Sequence, residues 1–342
     1  MLAAALAALV CLVAGAVFFA GHKPRFITPE KAGFSEPAQV TLTAANGLSA
    51  LAPANSSPAF ALAGQNGYKG VQFEARRTAD GIWVVMQEEK INGATNRRGK
   101  VSEMTYKQLL QCRIDKGHGK KQYQKKDELT VQTLEQALSI CIKYGMTPVI
   151  EVKQSGADCV EELFRAVDGG WETEYVFVFA EEEQLSKAQE LLAGKTLKLE
   201  KENVLLCRFT EKLNAKTLAQ AKETPEIAVY FPAKENKKIK KVQKFTDAGL
   251  TLYACGVNKK KQAKALYNAG VRRFTTDKLA YQEITAEEER TAANSKRPTT
   301  SPAKADESSS RTRKRPNASA RPESSSRTKK PSTTAKKTQN AQ

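Results

Sequence analysis

The chain has 342 residues, 40% of them hydrophobic, with a formal net charge of +18, six cysteines and two histidines. That length holds one large domain or two ordinary ones and supports a core without disulfides. Cys11, Cys112, Cys141, Cys159, Cys207 and Cys255 show neither paired nor metal-ligand spacing and read as free thiols, while a chain with only His22 and His118 has little means for histidine acid–base chemistry.

The first element is the apolar run LAAALAALVCLVAGAVFFA over residues 2–20. Its length suits a single membrane-spanning helix, and residues 1–22 are read as a transmembrane anchor or a signal peptide. No basic n-region precedes the run, which favours a retained anchor, although Ala14-Gly15-Ala16 offers a cleavage site. The expected location is therefore a membrane, single-pass. His22, Lys23 and Arg25 follow the run, which by the positive-inside rule places the body on the cytoplasmic side; a start further upstream would reverse that assignment. Residues 23–39 read as a linker.

Residues 40–285 alternate between two periodicities. Short β-rich runs lie at 40–45, 70–75, 147–153, 175–180, 203–209, 227–232, 250–257 and 271–277. Between them, helical patterns occupy about 56–66, 132–144, 158–167, 181–192, 211–222, 236–248 and 259–269. Gly145, Gly249 and Gly270 supply helix C-terminal stops. The run WVVMQ at 83–87 and the charged stretch to about 130 form an insertion after the second strand. Eight strands alternating with helices predict an α/β fold, a (β/α)8 TIM barrel. The competing doubly wound sheet lacks its glycine-rich turn after the first strand. In a barrel the site lies at the C-terminal strand ends. Those ends supply Ala45-Asn46, Glu74 with Arg76, Glu151 with Lys153, Ala180, Arg208, Cys255 and Thr276-Asp277.

Residues 286–342 form the last segment. From Thr291 onward it is rich in Ser, Thr, Pro, Lys and Arg, with 13 Lys/Arg against 3 Asp/Glu. Nothing there can bury enough apolar area to offset chain entropy, so a disordered basic tail is expected, either solubilising or able to bind a polyanion.

The order of landmarks along residues 40–280 resembles the glycerophosphodiester phosphodiesterase family. The family's A-H-R-G falls on Ala44-Ala45-Asn46-Gly47 and its P-E-N-T on Pro53-Ala54-Asn55-Ser56. Its E-x-D-V falls on Glu74-Ala75-Arg76-Arg77, its T-x-D-G on Thr78-Ala79-Asp80-Gly81, and its V-V-x-H-D on Val84-Val85-Met86-Gln87-Glu88. The later landmarks are Glu151-Val152-Lys153, Cys255-Gly256-Val257-Asn258 and Thr276-Asp277.

The resemblance implies a divalent metal, Ca²⁺ or Mg²⁺, held by the E-x-D carboxylates and the glutamate of E-x-K. It also implies two proton-moving histidines and an Arg and a Lys on the phosphate. Glu74, Glu151 and Lys153 match. The histidine places hold Ala45 and Gln87, the arginine place holds Asn46, and the metal aspartate's place holds Arg76. Neither Ala45 nor Gln87 can move a proton, and each such group contributes ~10²–10⁴-fold. A guanidinium opposes a hard cation, and Arg76 is expected to take the cation's place between Glu74 and Glu151 as a bidentate fork. No cofactor is then expected.

The resulting expectation is a membrane-tethered pseudoenzyme that binds or scaffolds an anionic ligand, with Asn46, Arg76, Gln87, Lys153 and Arg208 as mouth contacts. The alternative is an active phosphoric diester hydrolase of lipid metabolism with a changed mechanism, using Glu74 and Glu151 for metal and His118 or Glu88 as a substitute base. A third reading makes the tail a tether to an anionic polymer. Nothing in the pattern assigns an oligomeric state.

Overall fold

The computed structural model describes residues 26–281, apart from 124–128, 170–172, 195 and 235–238. The apolar run at 2–20 and the basic tail lie outside the described residues. Among the described residues no helix is long and apolar enough to cross a membrane.

Strand β1 (Thr41–Ala45) leads to α1 (Ser57–Gln65), β2 (Gly70–Arg77) and the short β3 (Trp83–Val85). Then α2 (Leu134–Lys143), β4 (Thr147–Val152), α3 (Asp158–Val167), β5 (Tyr175–Phe179) and α4 (Glu182–Ala193) alternate. They are followed by β6 (Val204–Phe209), α5 (Ala215–Glu223), β7 (Ala228–Pro232), α6 (Ile239–Thr246), β8 (Leu252–Cys255), α7 (Lys260–Asn268) and β9 (Arg273–Thr276). Eight strands run parallel, and β1 pairs with both β2 and β9, so the sheet closes. This is the expected (β/α)8 barrel.

The strands read as continuous apolar runs because both faces are covered. On β5, Tyr175, Phe177 and Phe179 pack outward in the main core with Phe164 of α3, ring centroids of Phe164 and Phe177 lying 4.8 Å apart. Val176 and Val178 point inward, to a second cluster with Val149, Cys207, Ala228, Tyr230 and Tyr253. That cluster plugs the barrel floor, helped by hydrogen bonds between Tyr253 and Thr43 and between Tyr230 and Thr275. The helices bury one stripe each. In α3 the buried positions are Cys159, Val160, Leu163, Phe164 and Val167, a 3.6-residue period. Thr133 and Asn214 close capping boxes on α2 and α5. No helix follows β9 within the described residues. Instead Leu279–Tyr281 and the Phe26–Phe34 segment cover β1 and β9: Ile27 pairs with Leu279, Tyr281 Oη bonds Leu42 N and Val40 O, and Phe34 stacks on Phe274.

The insertion carries its own small core of Val84, Met86, Ile91, Val101, Leu109, Cys112 and Val131. Strand β3 pairs antiparallel with the end of β2 through the Thr78–Gly81 turn, where Thr78 Oγ1 donates to Asp80 and Asp80 accepts Tyr106 N at 2.9 Å. The far end of the insertion folds back over the loop that follows β1. A Cβ at Gly119, which has φ +63°, would lie 2.0 Å from the carbonyl oxygen of Leu51, so only glycine permits this contact.

Candidate functional site at the barrel mouth

Alternation along β2 brings Gln72 and Glu74 to the barrel interior, and the in-register pairing of β2 with β4 sets Glu74 beside Glu151. Glu74 is 5% exposed. Its Oε1 accepts from Gln72 Nε2 at 3.2 Å and its Oε2 from Asn55 Nδ2 at 3.2 Å. The same Gln72 amide donates to Glu151 Oε1 at 3.0 Å, and Lys153 Nζ holds Glu151 Oε2 at 2.9 Å. Two carboxylates are thus joined by one side-chain amide. Burial, then the nearby Glu151 charge, pushes the Glu74 carboxyl above the ordinary range, against the hydrogen bonds from Asn55 and Gln72.

The loop after β1 is held by two asparagines in the left-handed region, Asn46 at φ 55° and Asn55 at φ 59°. Asn46 N donates to Gln72 O, and Asn46 O accepts from Asn55 N at 2.9 Å. Gln132 Nε2 reaches Asn55 O, so the insertion's last strand-like stretch also supports this loop. The side-chain oxygens of Asn46 and Asn55 are buried without a hydrogen-bond partner. Across the mouth, Asp277 accepts from Ser49 Oγ and Asn258 Nδ2, each at 2.8 Å, which gives the Gly256-Val257-Asn258 and Thr276-Asp277 landmarks a common spatial purpose. Cys255 is pushed up to about 12 by burial and by Glu151, which leaves it a neutral thiol.

Two expectations are corrected. Arg76 does not lie between Glu74 and Glu151. Its guanidinium turns to the insertion, donating to Met86 O, to Gln87 O at 2.9 Å, and to Glu89 Oε2 at 3.2 Å. The physical reason is that β3 pairs beside Arg76 and leaves the carbonyls of 86 and 87 within reach, while Gln72 and Lys153 already serve the two glutamates. Arg208 does not point into the mouth either. It sits on the outward face of β6, forked onto Glu182 of α4 at 2.6 and 3.0 Å, with Thr224 as a third partner. Ala45 is buried, and Gln87 is exposed, its carbonyl used by Arg76. His118 is exposed on the overhanging loop. Lys153 is the motif cation that remains at the mouth, 37% exposed.

Gln72 lies outside the family landmarks, which on β2 begin only at Glu74. Its inward parity two residues before a matched carboxylate was the available signal.

Residues 46–280 match the Glycerophosphoryl diester phosphodiesterase family. The chain is 28% identical over 112 residues to Glycerophosphodiester phosphodiesterase 1 of Homo sapiens, a match covering 33% of each chain. It is 32% identical over 104 residues to a Glycerophosphodiester phosphodiesterase of Bacillus altitudinis, covering 30% of this chain and 41% of that one. These matches span well under half of either relative. A phosphodiesterase of Oleispira antarctica, solved in complex with its product sn-glycerol-3-phosphate, superposes with a TM-score of 0.60 at 20% identity over 74% of this chain and 96% of that one. A glycerophosphodiester phosphodiesterase of Agrobacterium tumefaciens superposes with a TM-score of 0.53 at 18% identity, over 70% of this chain and 96% of that one.

Proposed function

The chain belongs to the glycerophosphoryl diester phosphodiesterase family, and from that premise we propose that it is a catalytically impaired member whose mouth binds a small anionic ligand. The observation that carries this reading is the Gln72 amide, which donates to both carboxylates at 3.2 and 3.0 Å. A divalent metal fits this donor set poorly. A hard cation takes six or more oxygens, several of them anionic. Here an N–H group is directed at both glutamates, one of which is biased toward its neutral form, and the place of the third carboxylate holds Arg76. Proton transfer has no agent at Ala45 or Gln87. Lys153, at the end of β4, supplies the remaining charge for a phosphate-bearing ligand.

One observation favours the other reading, an active hydrolase with a changed mechanism. The buried side-chain oxygens of Asn46 and Asn55 lack partners, and together with Glu74 and Glu151 they would offer a cation four oxygen-bearing side chains if Gln72 swung aside.

Calorimetry and a turnover assay separate the two. With the full chain, Ca²⁺ or Mg²⁺ should give no saturable heat, and glycerophosphocholine should not be hydrolysed. By contrast sn-glycerol 3-phosphate should bind, and Lys153→Met should weaken it by about tenfold, as loss of one charged hydrogen bond does. Metal-dependent turnover abolished by Glu151→Ala would overturn the proposal.

A further inference from the structure

The outer face of the barrel is electrically divided. On one side α3 and α4 carry Asp158, Glu161, Glu162, Glu182, Glu183 and Glu190 against only Arg165 and Lys187, with Glu161, Glu162, Glu182 and Glu190 in ion pairs. On the other, α6, α7 and the residue preceding α7 carry Lys240, Lys241, Lys244, Lys259, Lys260, Lys261 and Lys264, with no acidic residue in either helix. Six of these lysines are exposed and Lys241 is half-buried. Among the described residues none of the seven forms an ion pair. The two helices are neighbours, tied by Thr246 Oγ1 to Ala269 O at 2.7 Å. Seven uncompensated lysines on two adjacent helices repel one another, and an anionic surface relieves that repulsion.

We propose that this lysine face docks on an anionic lipid bilayer. Charge complementarity requires an anionic partner, and the route of the chain selects a membrane over a nucleic acid. The described chain enters at Phe26, and its Pro29–Ala32 turn packs on α7, where the Lys264 Nζ lies 3.4 Å from the position of a Cβ on Gly33. Only residues 21–25 separate Phe26 from the apolar run at 2–20, a reach of at most ~18 Å. A bilayer that takes up the apolar run therefore lies within reach of the α7 side of the barrel, and the acidic α3–α4 side is turned away from it by the same charge asymmetry. Each lysine near an anionic leaflet adds to the attraction, which decays within a Debye length.

The test uses the full chain reconstituted in vesicles of phosphatidylcholine alone or of phosphatidylcholine with phosphatidylserine, with lysine acetylation rates read by mass spectrometry. Lys240, Lys244, Lys260, Lys261 and Lys264 should be acetylated about tenfold more slowly on the phosphatidylserine vesicles. Added salt should erase the difference, and Lys143, exposed on α2, should serve as an unprotected reference. The variant K240E/K244E/K260E/K261E/K264E alters only exposed side chains, so it should keep its circular dichroism spectrum while losing phosphatidylserine-dependent protection of Lys259. Protection no greater than that of Lys143, protection confined to lysines beyond 291, or protection by a DNA oligonucleotide with none by anionic vesicles would each overturn the proposal.

Discussion

Arg76 and Glu89 form an ion pair at 3.2 Å that fastens the end of β2 to the insertion. The Arg76 side chain is 14% exposed, and it also binds the carbonyls of Met86 and Gln87. Arg76 thus acts as a strut between the barrel and the insertion. Arg76→Ala removes the donor from two carbonyls and from Glu89 Oε2, while Glu89 Oε1 keeps its bonds from Ser102. We expect a loss of about 1–3 kcal/mol, the range for hydrogen bonds to a charged group. Urea unfolding measures it, and amide exchange should show faster opening confined to residues 86–103. A loss spread evenly over the barrel would contradict the strut role.

Glu74 makes a pH-dependent prediction. Its carboxyl titrates above its ordinary value of 4.5 because it is buried beside Glu151. The folded state then binds a proton that the unfolded state has already released, over the window from about that ordinary value up to the raised one. Stability falls as pH climbs through the window, because the unfolded state binds fewer protons there. Glu74→Gln removes this dependence. Its amide can also donate to the unpartnered Asn55 Oδ1 once that side chain turns over. The variant should be more stable than the parent at neutral pH and no more stable at low pH, as read from thermal midpoints across a pH series. A parent whose stability rises with pH through this window would refute the burial argument.

The barrel was legible because its signals are local and repeated. Runs such as YVFVF at β5 are apolar on both faces only when helices cover one side and neighbouring strands fill the other. Gly145, Gly249 and Gly270 all take positive φ at helix ends, as their spacing implied. Glu74, Glu151 and Lys153 did converge at the mouth, since parity along two in-register strands fixes their face. The failures came where a side chain chose between partners. Arg76 and Arg208 are both long, and which carboxylate each reaches depends on what the neighbouring strand leaves open. Arg208 has outward parity opposite to Cys207, which lines the interior, so its direction was available from alternation alone. Arg76 was not, because β3 had to be paired first.

Arg208 is therefore a structural group, and its substitution should act on stability alone. The guanidinium side chain is 8% exposed whereas Glu182 is 55% exposed. Removing the arginine leaves its carboxylate partner in water, so no buried charge is stranded. One guanidinium nitrogen is already without a partner, which reduces what the fork contributes. Arg208→Met keeps the buried stem and should cost about 1–2 kcal/mol, measured by chemical unfolding. Binding of sn-glycerol 3-phosphate should stay within twofold of the parent. A larger fall in affinity would place Arg208 at the mouth after all.

Gly119 controls the overhang of the insertion on the β1 loop. Alanine there meets the Leu51 carbonyl at 2.0 Å and must also hold φ +63°. The left-handed backbone alone costs about 1–2 kcal/mol, and relieving the clash requires the two loops to separate. Gly119→Ala should expose residues 48–54 to protease while leaving the thermal midpoint within several degrees, since the main core lies elsewhere. Unchanged proteolysis would mean that the insertion is not seated on this loop.

Restoring the family residues tests what Gln72 does. The substitutions Ala45→His, Asn46→Arg, Arg76→Asp and Gln87→His introduce the two histidines, the arginine and the third carboxylate that the family resemblance implies. The Gln72 amide would still donate to Glu74 and Glu151, and a cation entering between them must displace both hydrogen bonds. We expect the fourfold variant to show weak Ca²⁺ binding by calorimetry. Adding Gln72→Ala removes the bridging donor, leaves the two carboxylates facing each other, and raises their need for a counter-ion. The fivefold variant should bind Ca²⁺ at least tenfold more tightly than the fourfold one, a difference of about 1.4 kcal/mol. Equal affinities would show that Gln72 is a bystander.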